Sequence, residues 1–217
     1  MVIAIDGPGG VGKSTVTRRL AEILGVDFLD TGSTYRAAAV AALEAGVDLS
    51  DEDEVLASVT CRDIAYDDGV ILLDGVGIAE ETRSEAATKA VTPVSAYPRV
   101  REHIVKIQRD WVDARDGNAV VEGRDMGTVV FPDAPVKVFL TASAEVRAAR
   151  RAGDVEAANM KVSEIVADLN RRDHADSTRK ASPLRPAADA VEIDTGELSV
   201  EEVVAAILDL VAAANEG

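Results

Sequence analysis

Apolar residues along the chain occur in short continuous runs and at helical spacing, and the two patterns alternate. Val2 to Ile5 is an apolar run followed by Asp6-Gly7-Pro8, which is typical of a short strand buried on both faces. From Lys13 onward apolar residues recur at helical spacing up to Gly25, a residue type that commonly ends helices. Further strands are predicted over residues 27–30, 119–121, 136–141 and 190–193, and further helices over 34–45, 98–115, from 144, and over 199–214. This alternation predicts an α/β fold with a central parallel sheet.

Two stretches break the alternation. Residues 63–66 and 70–73 are short segments separated by Asp67-Asp68-Gly69, which is the turn chemistry of a β-hairpin. We therefore expect a small antiparallel subdomain between Arg62 and Ala79. The second stretch, from Arg147 to Arg185, is rich in basic residues and is a second candidate insertion.

Composition narrows the class of protein further. The chain has 217 residues, 39 of them acidic and 23 Lys or Arg, giving a formal net charge of −16. This charge makes a nucleic-acid polymer or an anionic membrane an unfavourable partner. Hydrophobic residues make up 47% of the chain and aromatic residues 3%, so the core must consist mainly of Ala, Val, Leu and Ile. A chain of this length can form one core with room for a small insertion. The single cysteine and the lack of a long apolar segment lead us to expect a cytoplasmic protein.

One motif carries specific chemistry. Residues 7–14 match G-x-x-x-x-G-K-[ST], with a predicted strand before them and a predicted helix after them. A glycine-rich turn without a ligand is the alternative, but the flanking elements favour a phosphate-binding loop. Lys13 would contact the β and γ phosphates of a nucleoside triphosphate, and Ser14 would bind Mg²⁺. The predicted ATP-binding residues here are Gly7, Pro8, Gly9, Gly10, Val11, Gly12, Lys13, Ser14 and Thr15.

The rest of the chain indicates what receives the phosphoryl group. The guanine-reading sequence Asn-Lys-x-Asp of GTPases is absent, which disfavours a switch protein. An acceptor that is itself a phosphate ester needs cations separate from the loop. Arg36, Arg101 and Arg124 lie in segments that follow predicted strands or open a predicted helix, where ligands bind in open α/β sheets.

At these segments the chain closely resembles the bacterial cytidylate kinases, in order and spacing along nearly its whole length. The resemblance is carried by the phosphate-binding loop and by Asp30-Thr-Gly-Ser-Thr-Tyr-Arg36, Pro98-Arg-Val-Arg101, Glu122-Gly-Arg-Asp-Met-Gly-Thr128, Arg172-Asp-His-Ala-Asp-Ser-Thr-Arg179, Pro183-Leu184 and Ala187-Ala-Asp-Ala-Val-Glu-Ile-Asp194.

The resemblance implies a P-loop NTPase fold, a three-layer sandwich forming one domain over residues 1–217. A small insertion of about residues 60–95 would bind the nucleoside monophosphate, and a short lid would span about residues 150–165. The implied enzyme is an ATP-dependent nucleoside monophosphate kinase that phosphorylates CMP or dCMP, with ATP and Mg²⁺ and no nucleic-acid or membrane partner. A monomer is expected.

The resemblance also implies residue roles. Arg36 and Arg124 would hold the α-phosphate of the acceptor. The pyrimidine would be surrounded by Thr31, Arg101, Asp125 and Arg179, the pentose by Thr92, Arg172 and Asp176, and the phosphates of ATP would also meet Arg147 and Arg151. Lys13, Arg124, Asp125 and Arg172 are the expected catalytic residues.

Elementary chemistry supports the base-reading role. Cytosine presents an amino donor beside two acceptors, so its site needs an acceptor such as Asp125 next to donors such as Arg101 and Arg179. Two other functions stay open: a small-molecule kinase acting on UMP or a non-nucleotide acid, and a nucleotide-binding regulatory protein without turnover. The intact Lys13, Arg36 and Arg124 argue against the regulatory protein.

Overall fold

The computed structural model describes residues 1–153 and 161–216. These form two compact units, Met1–Phe28 with Gly117–Gly217, and Leu29–Asp116. The insertion predicted over about residues 60–95 lies inside the second unit, which is wider. The lid predicted over about residues 150–165 includes residues 154–160, which lie outside the described part of the chain.

The described elements alternate along most of the chain. In order they are β1 (Val2–Asp6), α1 (Lys13–Leu24), β2 (Asp27–Asp30), α2 (Thr31–Ala45), α3 (Glu52–Thr60), β3 (Ile64–Asp67), β4 (Val70–Leu73), β5 (Val76–Gly77), a 3₁₀ turn (Glu81–Arg83), α4 (Glu85–Ala96), α5 (Pro98–Asp113), β6 (Ala119–Gly123), a π-helical turn (Met126–Val130), β7 (Val136–Thr141), α6 (Ala144–Arg151), α7 (Val162–Thr178), β8 (Val191–Asp194) and α8 (Val200–Glu216).

The main sheet has five strands in the order β2-β6-β1-β7-β8, and the predicted parallel α/β fold is confirmed. β1 pairs in parallel with β6, with Asp6 opposite Gly123, and with β7, with Asp6 opposite Phe139. β8 pairs in parallel with β7, with Asp194 opposite Thr141. The carboxyl ends of these strands therefore meet at one edge, where ligands bind in open α/β sheets.

Aliphatic side chains fill the core of the first unit, as the composition predicts. Ile5, Val120 and Leu140 from three neighbouring strands, together with Leu20 of α1 and Ile207 of α8, are at least 99% buried. Strands covered by helices must be apolar on both faces, which explains their continuous apolar runs. In the part of the chain that the structure describes, no helix combines the length and the apolar character needed to cross a bilayer.

The second unit contains a three-stranded antiparallel sheet, β3-β4-β5, and four helices. The predicted hairpin is confirmed: β3 and β4 pair around Asp68 and Gly69, whose φ angles are +45° and +75°. α2 begins earlier than predicted because the Asp30 side chain accepts a hydrogen bond from the Gly32 N–H at 2.9 Å and caps the helix. The helices α3 and α4 were not predicted, and α4 contains Pro93, a residue that normally ends a helix.

Candidate active site

The glycine-rich loop between β1 and α1 has a backbone that only glycine accommodates at two positions. Gly7 has a φ of +147°, and a Cβ atom there would lie 2.3 Å from the carbonyl oxygen of Leu140 on β7. Gly10 has a φ of +82°, and its Cβ atom would lie 3.1 Å from the Cβ atom of Arg147 on α6. A side chain at either position would push the loop away from β7 or from α6.

Lys13, the first residue of α1, places its ammonium group against the first residues of this loop. Its ammonium group donates hydrogen bonds to the carbonyl oxygens of Gly7 and Pro8, both at 2.8 Å, and the residue is 7% exposed. The next residue, Ser14, is exposed. The loop thus presents a fixed cation and an accessible hydroxyl group at the N-terminus of a helix, which is a suitable environment for phosphate and its metal ion.

Arg147 of α6 supports the loop from outside. Its guanidinium group donates to the carbonyl oxygen of Gly9 at 3.2 Å and to the carboxylate of Asp173 on α7 at 2.5 Å. The arginine is 6% exposed, so most of its surface lies against protein. Arg147 was predicted to bind ATP phosphates, and the structure places it against the backbone of the phosphate-binding loop.

Arg150 forms a second support that the sequence did not predict. It donates to the carbonyl oxygen of Thr195 at 2.6 Å and to the hydroxyl group of Thr195 at 2.9 Å. The hydroxyl group of Thr195 donates in turn to the carbonyl oxygen of Val11 at 3.1 Å. Arg151, the other arginine predicted to bind ATP, is half-buried at the end of α6.

Charged side chains form a cluster beyond the carboxyl end of β6. Arg124 donates to Asp176 at 3.0 Å, and a second oxygen of Asp176 lies 3.7 Å from the guanidinium group of Arg179. Arg179 also lies 3.9 Å from the carboxylate of Asp125 and donates to the carbonyl oxygen of Ser182 at 2.6 Å. The structure thus brings four of the predicted acceptor-binding residues together, two acids between two arginines.

One face of α7 joins this cluster to the phosphate-binding loop. Leu169, Asp173 and Asp176 recur at helical spacing, and the Cδ2 atom of Leu169 would lie 3.6 Å from a Cβ atom built on Gly9. The same Cβ position is 3.7 Å from Nη2 of Arg124. The guanidinium group of Arg124 therefore lies beside the loop that would hold the triphosphate.

Arg172, predicted to bind the pentose and to take part in catalysis, lies on another part of α7. Its Nε atom is 3.1 Å from the carboxylate of Asp168 one turn earlier, and its side chain is 30% exposed. The ion pair with Asp168 lies within the helix, and the predicted roles of Arg172 stay predictions.

Asp6 is a buried acid that the sequence analysis did not select. Its two carboxylate oxygens accept hydrogen bonds from the backbone N–H groups of Met126 and Gly127, each at 2.8 Å. The pKa of Asp6 is raised from 3.8 to about 6. Burial is the main cause and the nearby charge of Asp125 adds to it, while the two N–H groups and Lys13 partly oppose the rise.

Arg36 and Arg101, both in the second unit, lie within the first two turns of α2 and α5. Arg36 of α2 donates to the carbonyl oxygen of Thr82 at 3.0 Å. Arg101 of α5 is 3% exposed, donates to the carbonyl oxygen of Ser95 at 3.1 Å, and has its Cζ atom 4.8 Å from the ring centroid of Tyr35. Both guanidinium groups are held by protein contacts, which orients them in advance.

A chain of hydrogen bonds connects α5 to the beginning of α2. Gln108 is fully buried and donates to the hydroxyl group of Thr34 at 3.0 Å, and Thr34 donates to the carbonyl oxygen of Thr31 at 2.8 Å. Thr31, predicted to contact the base, is 2% exposed. Thr92, predicted to contact the sugar, is exposed on α4 next to Pro93.

Comparison with known proteins identifies the chain. The family model described as cytidylate kinase matches residues 3–213. The chain belongs to the cytidylate kinase family. It is 48% identical over 216 residues to the cytidylate kinase of Rhodococcus opacus, covering 96% of this chain and 93% of that protein. It is 50% identical over 219 residues to the cytidylate kinase of Nocardia farcinica, covering 94% and 90%.

A solved structure supports the fold. The crystal structure of an uncharacterized protein from Eubacterium ventriosum matches with a TM-score of 0.54 and 12% sequence identity, covering 98% of both chains. The predicted resemblance to the cytidylate kinases is therefore confirmed by the family match. The roles of single residues in the family site stay predictions.

Five supporting residues were missed. Asp6, Gln108 and Thr195 are buried, whereas Asp173 is half-buried and Arg150 is exposed. Two local signals existed. Asp6 is a carboxylate between an apolar strand and a glycine-rich loop, and Asp173 shares a helical face with Asp176. Gln108 and Thr195 lack such a signal because their partners are remote in the sequence.

Proposed function

We propose that this member of the cytidylate kinase family transfers the γ-phosphoryl group of ATP to CMP or dCMP, giving CDP or dCDP and ADP, and that the residues predicted from its sequence carry out the reaction. The observation that best supports the proposal is the charged cluster of Arg124, Asp125, Asp176 and Arg179 beside the phosphate-binding loop in one compact unit. A bare P-loop protein has no need of such a cluster.

The ATP side of the reaction is assigned to the loop and the first turn of α1. The residues proposed to hold the triphosphate are Gly7, Pro8, Gly9, Gly10, Val11, Gly12, Lys13, Ser14 and Thr15. The exposed hydroxyl group of Ser14 and the absence of side chains at the loop glycines fit a metal–triphosphate complex. Mg²⁺ bound there would neutralise charge on the β and γ phosphates.

Lys13 stabilises the charge that develops during transfer. Its ammonium group is within hydrogen-bond distance of two loop carbonyl oxygens, so it can exchange these neutral acceptors for phosphate oxygens, which accept stronger bonds. Arg147 and Arg150 hold the loop backbone itself, through Gly9 directly and through Thr195. A loop held in advance loses less free energy when the triphosphate binds.

Arg124 and Arg36 are assigned to the α-phosphate of the acceptor. A guanidinium group binds two phosphate oxygens in one plane and so directs the third. Arg124 has a carboxylate partner, Asp176, at 3.0 Å, and its side chain is 31% exposed, so it is accessible to a ligand. Orientation of the attacking oxygen in line with the γ-phosphorus accounts for most of what the protein contributes to phosphoryl transfer.

Asp125 is assigned to the amino group of cytosine. The carboxylate is 2% exposed and adjacent to the guanidinium group of Arg179, which can donate to a ring acceptor. Arg101 and Thr31 are proposed to complete the recognition of the base. The proposed contacts to the pentose are those of Thr92, Arg172 and Asp176.

The deciding experiment is a coupled ADP-release assay over CMP, dCMP, UMP, AMP and GMP with ATP and Mg²⁺. We expect turnover with CMP and dCMP and a preference over UMP of at least about 10²-fold, because UMP would place a carbonyl oxygen against Asp125. Turnover with UMP and none with CMP would replace the proposal by the alternative kinase. Nucleotide binding without turnover for any acceptor would favour a regulatory protein.

Three further properties belong to the proposal. We expect a monomer, which size-exclusion chromatography with light scattering will test. The net charge of −16 supports small-molecule rather than nucleic-acid or membrane partners. A single cysteine is consistent with function in the cytoplasm.

A further inference from the structure

Asp6 connects two segments that the proposed function assigns to different substrates. It ends β1, directly before the phosphate-binding loop, and it accepts hydrogen bonds from Met126 and Gly127, which directly follow Asp125. The residue is 4% exposed. These contacts join positions 120 and 121 residues apart in the chain.

The two amides that Asp6 binds begin the π-helical turn after β6. The first N–H groups of a helical turn have no partner within the turn and need an acceptor from elsewhere. The last residues of the turn are bonded to Asp125: its carbonyl oxygen accepts hydrogen bonds from the N–H groups of Val129 at 2.9 Å and Val130 at 3.1 Å. The backbone that carries Asp125 is therefore held by the turn itself and by Asp6.

An ionised carboxylate satisfies both amides best, because each of its oxygens is a strong acceptor. A carboxamide would turn an N–H group toward one of the donors, and the hydroxyl oxygen of a protonated acid is a weaker acceptor. Burying such a charge costs free energy, and the raised pKa of Asp6 reflects this cost. Two charged groups face it: Lys13 of α1 and Asp125 at the end of β6.

We propose that Asp6 is a positioning residue that holds the turn at Met126 and Gly127 and thereby fixes Asp125 and Arg124 relative to the phosphate-binding loop. The roles of Asp125 and Arg124 in this inference rest on the proposed function, whereas the hydrogen bonds of Asp6 to the turn are independent of it. Displacement of a binding group by about 1 Å can lower a rate by about 10²-fold, so the position of this turn matters for catalysis.

The kinetic test compares Asp6→Asn with the wild type. We expect kcat/KM for CMP to fall by at least about 10-fold and the preference for CMP over UMP to narrow, while KM for ATP changes by less than about 3-fold. The matched control is Asp48→Asn, an exposed aspartate that likewise accepts a backbone N–H bond, from Ser50 at 2.9 Å. Equal increases in the KM values of CMP and ATP, or unchanged CMP kinetics, would overturn the positioning role.

A second test does not depend on activity. The chain has three methionines, so selective ¹⁵N-methionine labelling gives a simple spectrum in which Met126→Leu assigns the relevant peak. In the wild type we expect the Met126 amide proton to shift with a midpoint near the Asp6 pKa of about 6, and we expect this transition to be absent in Asp6→Asn.

The two tests separate the possible failures. If the wild type does not phosphorylate CMP but the Met126 amide titrates through Asp6, the proposed function is wrong and the contact stands. If the Met126 amide does not titrate, or titrates equally in Asp6→Asn, the inference about Asp6 is wrong whatever the activity. Where Asp6→Asn does not fold, a Met126 amide that does not titrate in the wild type still overturns the inference.

Discussion

Replacing Asp125 with asparagine tests how the base is recognised. The carboxylate is 2% exposed, with the guanidinium group of Arg179 3.9 Å away. Asparagine has nearly the same size, so the substitution removes charge and leaves the packing intact. Arg179 keeps its hydrogen bond to the carbonyl oxygen of Ser182 at 2.6 Å and its neighbour Asp176 at 3.7 Å, which limits any structural response.

The magnitude follows from the contact that Asp125 is proposed to make. A hydrogen bond between a buried carboxylate and the cytosine amino group contributes about 1.5 to 3 kcal/mol, so its loss should lower kcat/KM for CMP by about 10- to 150-fold. UMP presents a carbonyl oxygen at the same place, which the carboxylate repels and the asparagine amide can bind. The preference for CMP should therefore fall from at least about 10²-fold to below about 10-fold.

The assay is kcat/KM for CMP and for UMP in the coupled ADP-release system, with KM for ATP as an internal reference. Asp133→Asn is the matched control, since Asp133 is an exposed aspartate in the same connection between β6 and β7. An unchanged CMP to UMP ratio in Asp125→Asn with measurable turnover would refute the reasoning. Base recognition would then belong to Thr31 or the arginines, and Asp125 would serve only to support the turn.

Three other predictions concern the phosphate contacts and the buried acid. Lys13→Ala should lower kcat by at least about 10²-fold and leave the circular dichroism spectrum unchanged. Lys89→Ala, at an exposed lysine, is the control, and near-normal turnover in folded Lys13→Ala would contradict the loop assignment. Arg36→Ala and Arg124→Ala should each lower kcat/KM for CMP by at least about 10²-fold, equivalent to about 3 kcal/mol, and wild-type efficiency in either would show that its phosphate contact is misplaced. Because the folded protein holds the pKa of Asp6 at about 6, above the unfolded value of 3.8, the folded state binds this proton more tightly, and the stability contributed by Asp6 falls as pH rises between these values. In urea unfolding, the free energy of unfolding of the wild type should fall by up to about 3 kcal/mol relative to that of Asp6→Asn between about pH 4 and about pH 7. A difference in unfolding free energy that stays constant over this range would count against a buried ionisable Asp6.

The alternation of strands and helices in the main sheet, its parallel class and the phosphate-binding loop were predictable from the sequence, because the patterns that reveal them lie in neighbouring residues. The loop is a continuous motif, and its glycines and lysine act within a few positions of each other. The hairpin at Asp68-Gly69 was predictable for the same reason, since the turn residues determine the backbone locally. The family resemblance added the arginine segments and their order.

Only the tertiary structure placed the groups that support these motifs. Asp6 contacts the turn at Met126, Arg150 contacts Thr195, and Gln108 contacts Thr34, pairs between 45 and 120 residues apart. Periodicity reports which face of an element is buried, but not which remote element covers it, so such partners leave no pattern in the sequence. The helix α4 escaped prediction because the packing of its buried residues, including Ala90 and Val94, outweighs the local cost of the internal proline.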